Sequence, residues 1–235
     1  MPRTFQWSWS RLKNYRTCPK RHWHVDIQKD FKEVQGEALL WGDEVHKAFE
    51  KRIADGVPLP NTMTRYDHWA AGILAMEPEG VEIKAENRLA ITKDFEPTGF
   101  FASDVWFRAV IDVIAVTPSW SWEKLPPGKV AITLDWKTGA VKPEIEQLGL
   151  SAQVVFAHHP EVTSVVSSYI WLGDNKTTPA VYKRENMAPL WNKLWPEIKT
   201  LENAFNTTTY PAKPSGLCKN YCPVTSCQYH GKGSY

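Results

Sequence analysis

Four cysteines set the first constraint: Cys18 stands in NYRTCPKRH, whereas Cys218, Cys222 and Cys227 stand together in LCKNYCPVTSCQYHG, with no others in the 235 residues. Three clustered thiols and one distant one suit a single metal centre, and such a centre requires the chain to bring its two ends together. The N-terminal stretch MPRTFQWSWSRLKNY lacks the apolar core of a secretory signal, and no apolar run approaches the ~20 residues that span a bilayer. A cytoplasmic, reducing setting is therefore expected, in which structural disulfides are rare. The spacing C-x3-C-x4-C is not that of a zinc ribbon, yet four thiolates are compatible with either zinc or an iron–sulfur cluster. His230 reads as a solvent histidine rather than a ligand.

The charge follows the same division. Residues 1–30 hold seven Lys/Arg against two Asp, and residues 206–235 hold three Lys and no acid, while residues 31–205 carry 18 basic and 24 acidic side chains. Joined ends would form a basic patch of net charge +8 on an acidic body of −6. Such a patch suits a polyanion, although a solvated basic tail gives the same count. Among the twelve tryptophans, Trp191 and Trp195 lie at helical spacing and read as core, whereas Trp7, Trp9, Trp120 and Trp122 lie near loops where they could stack on bases.

The pattern between the ends is mixed. SWSRLKNYRTCP predicts a short helix with Ser8 or Ser10 as N-cap and Pro19 as its stop. Helices are expected over 39–56, around RYDHWAAGILAM, over 143–159 and over 186–206. Strands are expected over 81–92, 104–117, 129–139 and 162–173, with PSWSWEKLPPG as a loop rich in breakers. The order predicts an α/β domain with a mixed central sheet flanked by helices. Its expected division is a core over 39–206 and a clasp made of 1–38 and 207–235.

Chemistry concentrates in a few places. ITLDWKTG sets Asp135 and Lys137 two residues apart, on one face of a strand, where an acid and a lysine are costly to desolvate without a function. FRAVIDVIAV sets Asp112 inside an apolar strand, and Asp112 and Asp135 on neighbouring strands can share one divalent cation through hard oxygen ligands. GDEVHKAFE sets His46 and Glu50 on one helical face, and Gln147 in EIEQLGL is placed to position a phosphate or a water.

The ordered set G-x-x-x-H-x-x-x-E, E-x-R-L, V-I-D, D-W-K-T-G and Q-L resembles the PD-(D/E)XK nuclease superfamily, specifically its RecB-nuclease-like branch. The opening S-x-S-x-L-x-x-Y-x-x-C-P and the one-plus-three cysteines resemble the members that carry an iron–sulfur cluster: CRISPR-associated exonucleases, AddB-type helicase-nucleases and related phage enzymes. The resemblance implies a restriction-endonuclease-like core whose ends meet at a [4Fe–4S] cluster held by Cys18, Cys218, Cys222 and Cys227. It implies Mg²⁺ or Mn²⁺ held by His46, Asp112, Asp135 and the Trp136 backbone carbonyl, with Lys137 activating the attacking water, Gln147 orienting the site and Glu86 as a further acid. Two positions depart from the pattern: Ala109 replaces a common glycine, and Ser151 replaces a common tyrosine.

The implied activity is metal-dependent DNA exonuclease action on single strands or DNA ends. A structure-selective endonuclease and a catalytically weak nucleic-acid-binding module on the same fold are the alternatives. No G-x-x-x-x-G-K-[ST] loop is present, so a helicase motor would come from a partner, and homo-oligomers occur among the enzymes resembled.

Overall fold

The computed structural model describes residues 4–33, 36–118, 128–142 and 144–233. Most of PSWSWEKLPPG, including Trp120 and Trp122, lies outside the described residues. The chain forms two compact units: one joins residues 1–36 to 191–235, and the other comprises residues 37–190. The first holds 13 Lys/Arg against five Asp/Glu, and the second 15 against 21.

The larger unit is built on a six-stranded sheet in the order β2-β1-β3-β4-β5-β6. Its strands are β1 (Glu82–Ile91), β2 (Pro97–Thr98), β3 (Phe107–Val116), β4 (Lys129–Lys137), β5 (Val162–Trp171) and β6 (Lys176–Lys183). All neighbours are antiparallel except β4 and β5, which run parallel. The parallel pair needs a crossover, and helix α5 (Glu146–His158) supplies it. Nine of its thirteen residues are buried, which explains why its sequence is apolar nearly all round. At Gly149 an added Cβ would lie 3.0 Å from both methyls of Leu190, so a side chain there would force that neighbour to shift. Arg184 then donates to the carbonyls of Phe156, His159 and Val162, placing a cation at the C-terminal end of α5.

Helix α3 (Glu37–Ala54) packs Val45, Phe49 and Ile53 into a core with Val113, Ala115, Trp136, Ile170 and Leu172. The Phe49 and Trp136 rings lie 4.2 Å apart. Helix α4 (Asp67–Leu74) adds Ala70 and Ile73 to the same core. Gly56, at φ 69°, takes the left-handed conformation that ends α3.

The smaller unit gathers both ends of the chain. Helix α1 (Trp9–Thr17) starts at Ser8, whose Oγ accepts from Arg11 N, and stops at Cys18 before Pro19. Helix α2 (Pro19–His22) runs into a π-helical turn, Trp23–Gln28. From Trp191 onward, helix α6 (Ala188–Thr207) buries Leu194, Ile198, Leu201 and Ala204, and Glu197 pairs with Arg16 of α1. Trp7 and Trp9 are buried here, so neither is available as the stacking platform their positions near loops suggested. The tether after α6 pairs with the start of α2 through Lys20 N to Pro211 O and stacks Tyr210 on Trp23, 4.7 Å between ring centres. A short helix, α7 (Leu217–Asn220), carries Cys218. No described helix is long and apolar enough to cross a membrane.

Candidate metal centre and cysteine cavity

Strands β1 and β3 keep one register throughout, with Ala85 opposite Val113 and Asn87 opposite Ile111, yet the intervening pair, Glu86 and Asp112, is missing from the ladder. Glu86 adopts φ 45°, a left-handed conformation uncommon for a residue other than glycine and found where surroundings enforce it. The β3–β4 ladder also ends here, its last pair being Val113 with Leu134, one step before Asp112 would meet Asp135. The Asp112 carboxylate fills the gap: its Oδ2 accepts from the Trp136 backbone N–H at 2.7 Å. A buried backbone donor is thereby satisfied by a side chain where the ladder no longer does so.

His46, on α3, points its Nδ1 at the same opening, 3.2 Å from Asp112 Oδ2 and 4.0 Å from Glu86 Oε1. Among the described residues, His46, Glu86 and Asp112 are the group whose ligand atoms all lie within 4.8 Å of one another. Burial pulls the imidazole pKa down, but the Asp112 hydrogen bond and the charges of Asp112, Asp135 and Glu86 outweigh it and hold it at about 9. Burial, reinforced by Asp112, pushes the Glu86 carboxyl up, with His46 opposing. These carboxylates thus draw a proton onto the imidazole, and a cation bound there would take that proton's place.

Beside this group, Lys137 Nζ lies 2.7 Å from Asp135 Oδ1 and donates to Gln147 Oε1 at 3.2 Å, while Gln147 Nε2 donates to Asp135 Oδ2 at 2.6 Å. Gln147 comes from the first turn of α5, so the crossover fixes the strand's acid and lysine relative to each other. Burial raises the Asp135 carboxyl, Lys137 opposes it, and Asp112 adds to it. Trp136 enters the site through its N–H, while its ring belongs to the core. Glu50 is exposed on α3 and reaches the group only through its charge on Glu86.

One residue here was not singled out from the sequence. Tyr169, beside Asp135 across the parallel β4–β5 pair, sets its ring 4.8 Å from Lys137 Nζ. A cation over a buried aromatic face is held without being neutralised. The pattern's missing tyrosine is Ser151, which is buried on α5, so an aromatic ring reaches the lysine from a different element.

In the smaller unit, Cys18, Cys218, Cys222 and Cys227 line one cavity together with Arg21, Lys213, Pro214 and Val224. The Lys213 N–H points to Cys18 Sγ at 3.4 Å and the Ser215 N–H to Cys218 Sγ at 3.5 Å. Four thiols with N–H groups directed at two of them form a donor set that either zinc or an iron–sulfur cluster could use. His230 borders the cavity but is exposed.

A mixed sheet opened at one point, with a histidine and carboxylates that could hold a cation at the opening and an acid–lysine pair on the adjacent strand, is an arrangement suited to metal-dependent phosphodiester hydrolysis. The chain belongs to the PD-(D/E)XK nuclease superfamily, whose model matches residues 6–228. Members use divalent metals for nucleic-acid hydrolysis, and that coarse activity comes with membership. Among solved structures, that of SSO0001 aligns over 97% of this chain and 88% of its own length, at 11% identity and a TM-score of 0.41. No curated protein matches the chain.

Proposed function

We propose that the protein is a divalent-metal-dependent DNA exonuclease acting on single strands or DNA ends, with a [4Fe–4S] cluster closing its terminal unit. The observation that carries the nuclease reading is the coincidence, at one opening in the sheet, of His46, Glu86 and Asp112 with the Asp135–Lys137–Gln147 network. In this reading His46, Asp112 and Asp135 hold the cation, with the Trp136 carbonyl as a further ligand and Glu86 as an outer acid. Mg²⁺ or Mn²⁺ is the fitting choice, since oxygen ligands dominate and the single imidazole favours Mn²⁺. When bound, such a cation polarises a phosphoryl oxygen and makes water a better nucleophile at neutral pH.

The chain's own groups do the rest. Asp135 and Gln147 hold the Lys137 ammonium at a fixed point, where it meets the negative charge that grows on the phosphate and can exchange a proton with the attacking water. Gln147 bridges the lysine and the acid, so neither rotates away when substrate arrives. In the terminal unit, Cys18, Cys218, Cys222 and Cys227 hold the cluster, which closes a very long loop and orders residues 1–38 and 207–235.

Purified protein incubated with end-labelled linear and circular DNA and Mn²⁺ tests the activity. Stepwise shortening of linear strands with circles intact supports an exonuclease, and cut circles would make it an endonuclease. Asp135→Asn and Lys137→Ala should each abolish cleavage with the far-ultraviolet spectrum unchanged, and undiminished digestion by either would refute the site.

A further inference from the structure

On β3, Arg108, Val110 and Asp112 alternate onto one face, placing Arg108 roughly 13 Å along the strand from the metal-binding carboxylate at ~3.3 Å per residue. Arg88 lies directly across from Val110 on β1, is exposed, and stands close enough for its charge to act on Glu86. Val110 is 43% exposed, in contrast to the six buried residues that follow it on β3. Farther on, the Arg108 guanidinium lies over the Phe100 ring, 5.1 Å from its centre, and Phe100 meets Phe101 edge-on at 5.1 Å. Phe101 is 77% exposed at the tip of the loop between β2 and β3. So open a phenyl ring costs free energy in water and packs against no core.

We propose that this face is a track for one single-stranded segment of the DNA substrate, with Arg88 meeting its phosphates, Val110 its sugars, and Phe101, on the ring pair that Arg108 caps, stacking on an unpaired base beyond. The track rests on the nuclease reading above and deepens it by specifying a strand rather than a duplex. Inside a duplex both faces of every base are already stacked, whereas an unpaired base offers a free face to an aromatic ring, and stacking on such a ring is indifferent to which base it is. Acids lie nearby, Asp94 and Glu96 in the turn between β1 and β2 and Asp104, which accepts from Thr98, in the loop itself, so the tip attracts by stacking and Arg88 supplies the positive charge. The two ends of the track therefore respond differently to salt.

The test uses the full-length protein with a chelator, so that binding is read without cleavage, and a fluorescein-labelled thymidine oligonucleotide followed by anisotropy. Phe101→Ala should weaken binding about 5- to 150-fold, the range for one lost base stack, with its salt dependence unchanged. Phe101→Trp should restore it. Arg88→Gln should lower the slope of log affinity against log salt by about 0.7, one phosphate contact to a single strand. Because Phe101 touches no core, its variants should melt with the parent. Binding by Phe101→Ala equal to the parent's would overturn the track, as would an equal loss on a blunt duplex. A parent that cuts no DNA yet shows these losses would keep the track and refute the catalytic reading, whereas a parent that cuts DNA with Phe101→Ala binding normally would do the reverse.

Discussion

The charge trapped at the sheet opening should make the metal-free protein lose stability as pH rises. His46 carries a pKa of about 9 in the folded chain against an ordinary 6.5, because Asp112, Asp135 and Glu86 surround it. A histidine raised on folding contributes stability that is fully present below about 6.5 and is lost as pH climbs through 9. Moving a pKa from 6.5 to about 9 corresponds to roughly 3 kcal/mol. With a third of the side chain in water, screening reduces this to about 1 kcal/mol. For a chain of this size that is roughly 2–4 °C in Tm. Thermal unfolding in chelator from pH 6 to 9.5 should show this decline in the parent and not in His46→Gln, whose curve should be flatter over that window. Adding Mn²⁺ should reverse the trend, since the cation competes with the proton and binds better as pH rises. Parallel pH profiles for the parent and His46→Gln would show that the imidazole is not held by these carboxylates, and would refute the reasoning.

Other substitutions separate structure from chemistry. Glu86→Gly should relieve the φ 45° strain and raise Tm slightly, for a net gain of up to about 1 kcal/mol after glycine's own entropy cost, while Mn²⁺ affinity measured by calorimetry falls. Asp112→Ala should destabilise by about 1–3 kcal/mol by orphaning the Trp136 N–H, whereas Asp112→Asn should keep that hydrogen bond and lose Mn²⁺ binding, as melting and calorimetry on both variants will show. Cys222→Ser should lose visible colour and the protease resistance of the terminal unit first, with cleavage declining only afterwards; a colourless, zinc-loaded and fully active parent would keep the clasp and exclude iron.

Periodicity and residue type carried much of the fold. The apolar strands β1, β3, β4 and β5 and the helices α3, α5 and α6 announce themselves because each buries a continuous face. Strand β6, KTTPAVYK, was not legible: it is half-exposed, threonine-rich and interrupted by Pro179, which an edge strand tolerates and a central one does not. The two-residue β2 has no period to detect. Asp135 and Lys137 could be seen together because a strand's period of two is local. Tyr169 could not, since its approach to Lys137 depends on the parallel register of β4 and β5, set by a crossover helix between them. The loop positions of Trp7 and Trp9 suggested exposure, but packing of the two chain ends buries both.

What no local pattern encodes is the opening itself. In an uninterrupted sheet, Glu86, Asp112 and Asp135 would sit in successive cross-strand positions with their backbones paired, forcing three acids into adjacent places on one surface. Such a row is costly when desolvated, and here the pairing gives way at that row in both ladders. Glu86 turns through a left-handed φ, Asp112 spends one oxygen on the Trp136 N–H, and Asp135 is bridged to Lys137 by Gln147. Each acid is thus held by a different device, and the negative charge that remains is met by the His46 proton. The fold tolerates the acids only by giving them partners, and the exchangeable partner is the proton on His46. A site whose counter-charge is a single displaceable proton is already arranged to receive a cation, so the strain at Glu86 and the break in the sheet are costs of keeping that place open.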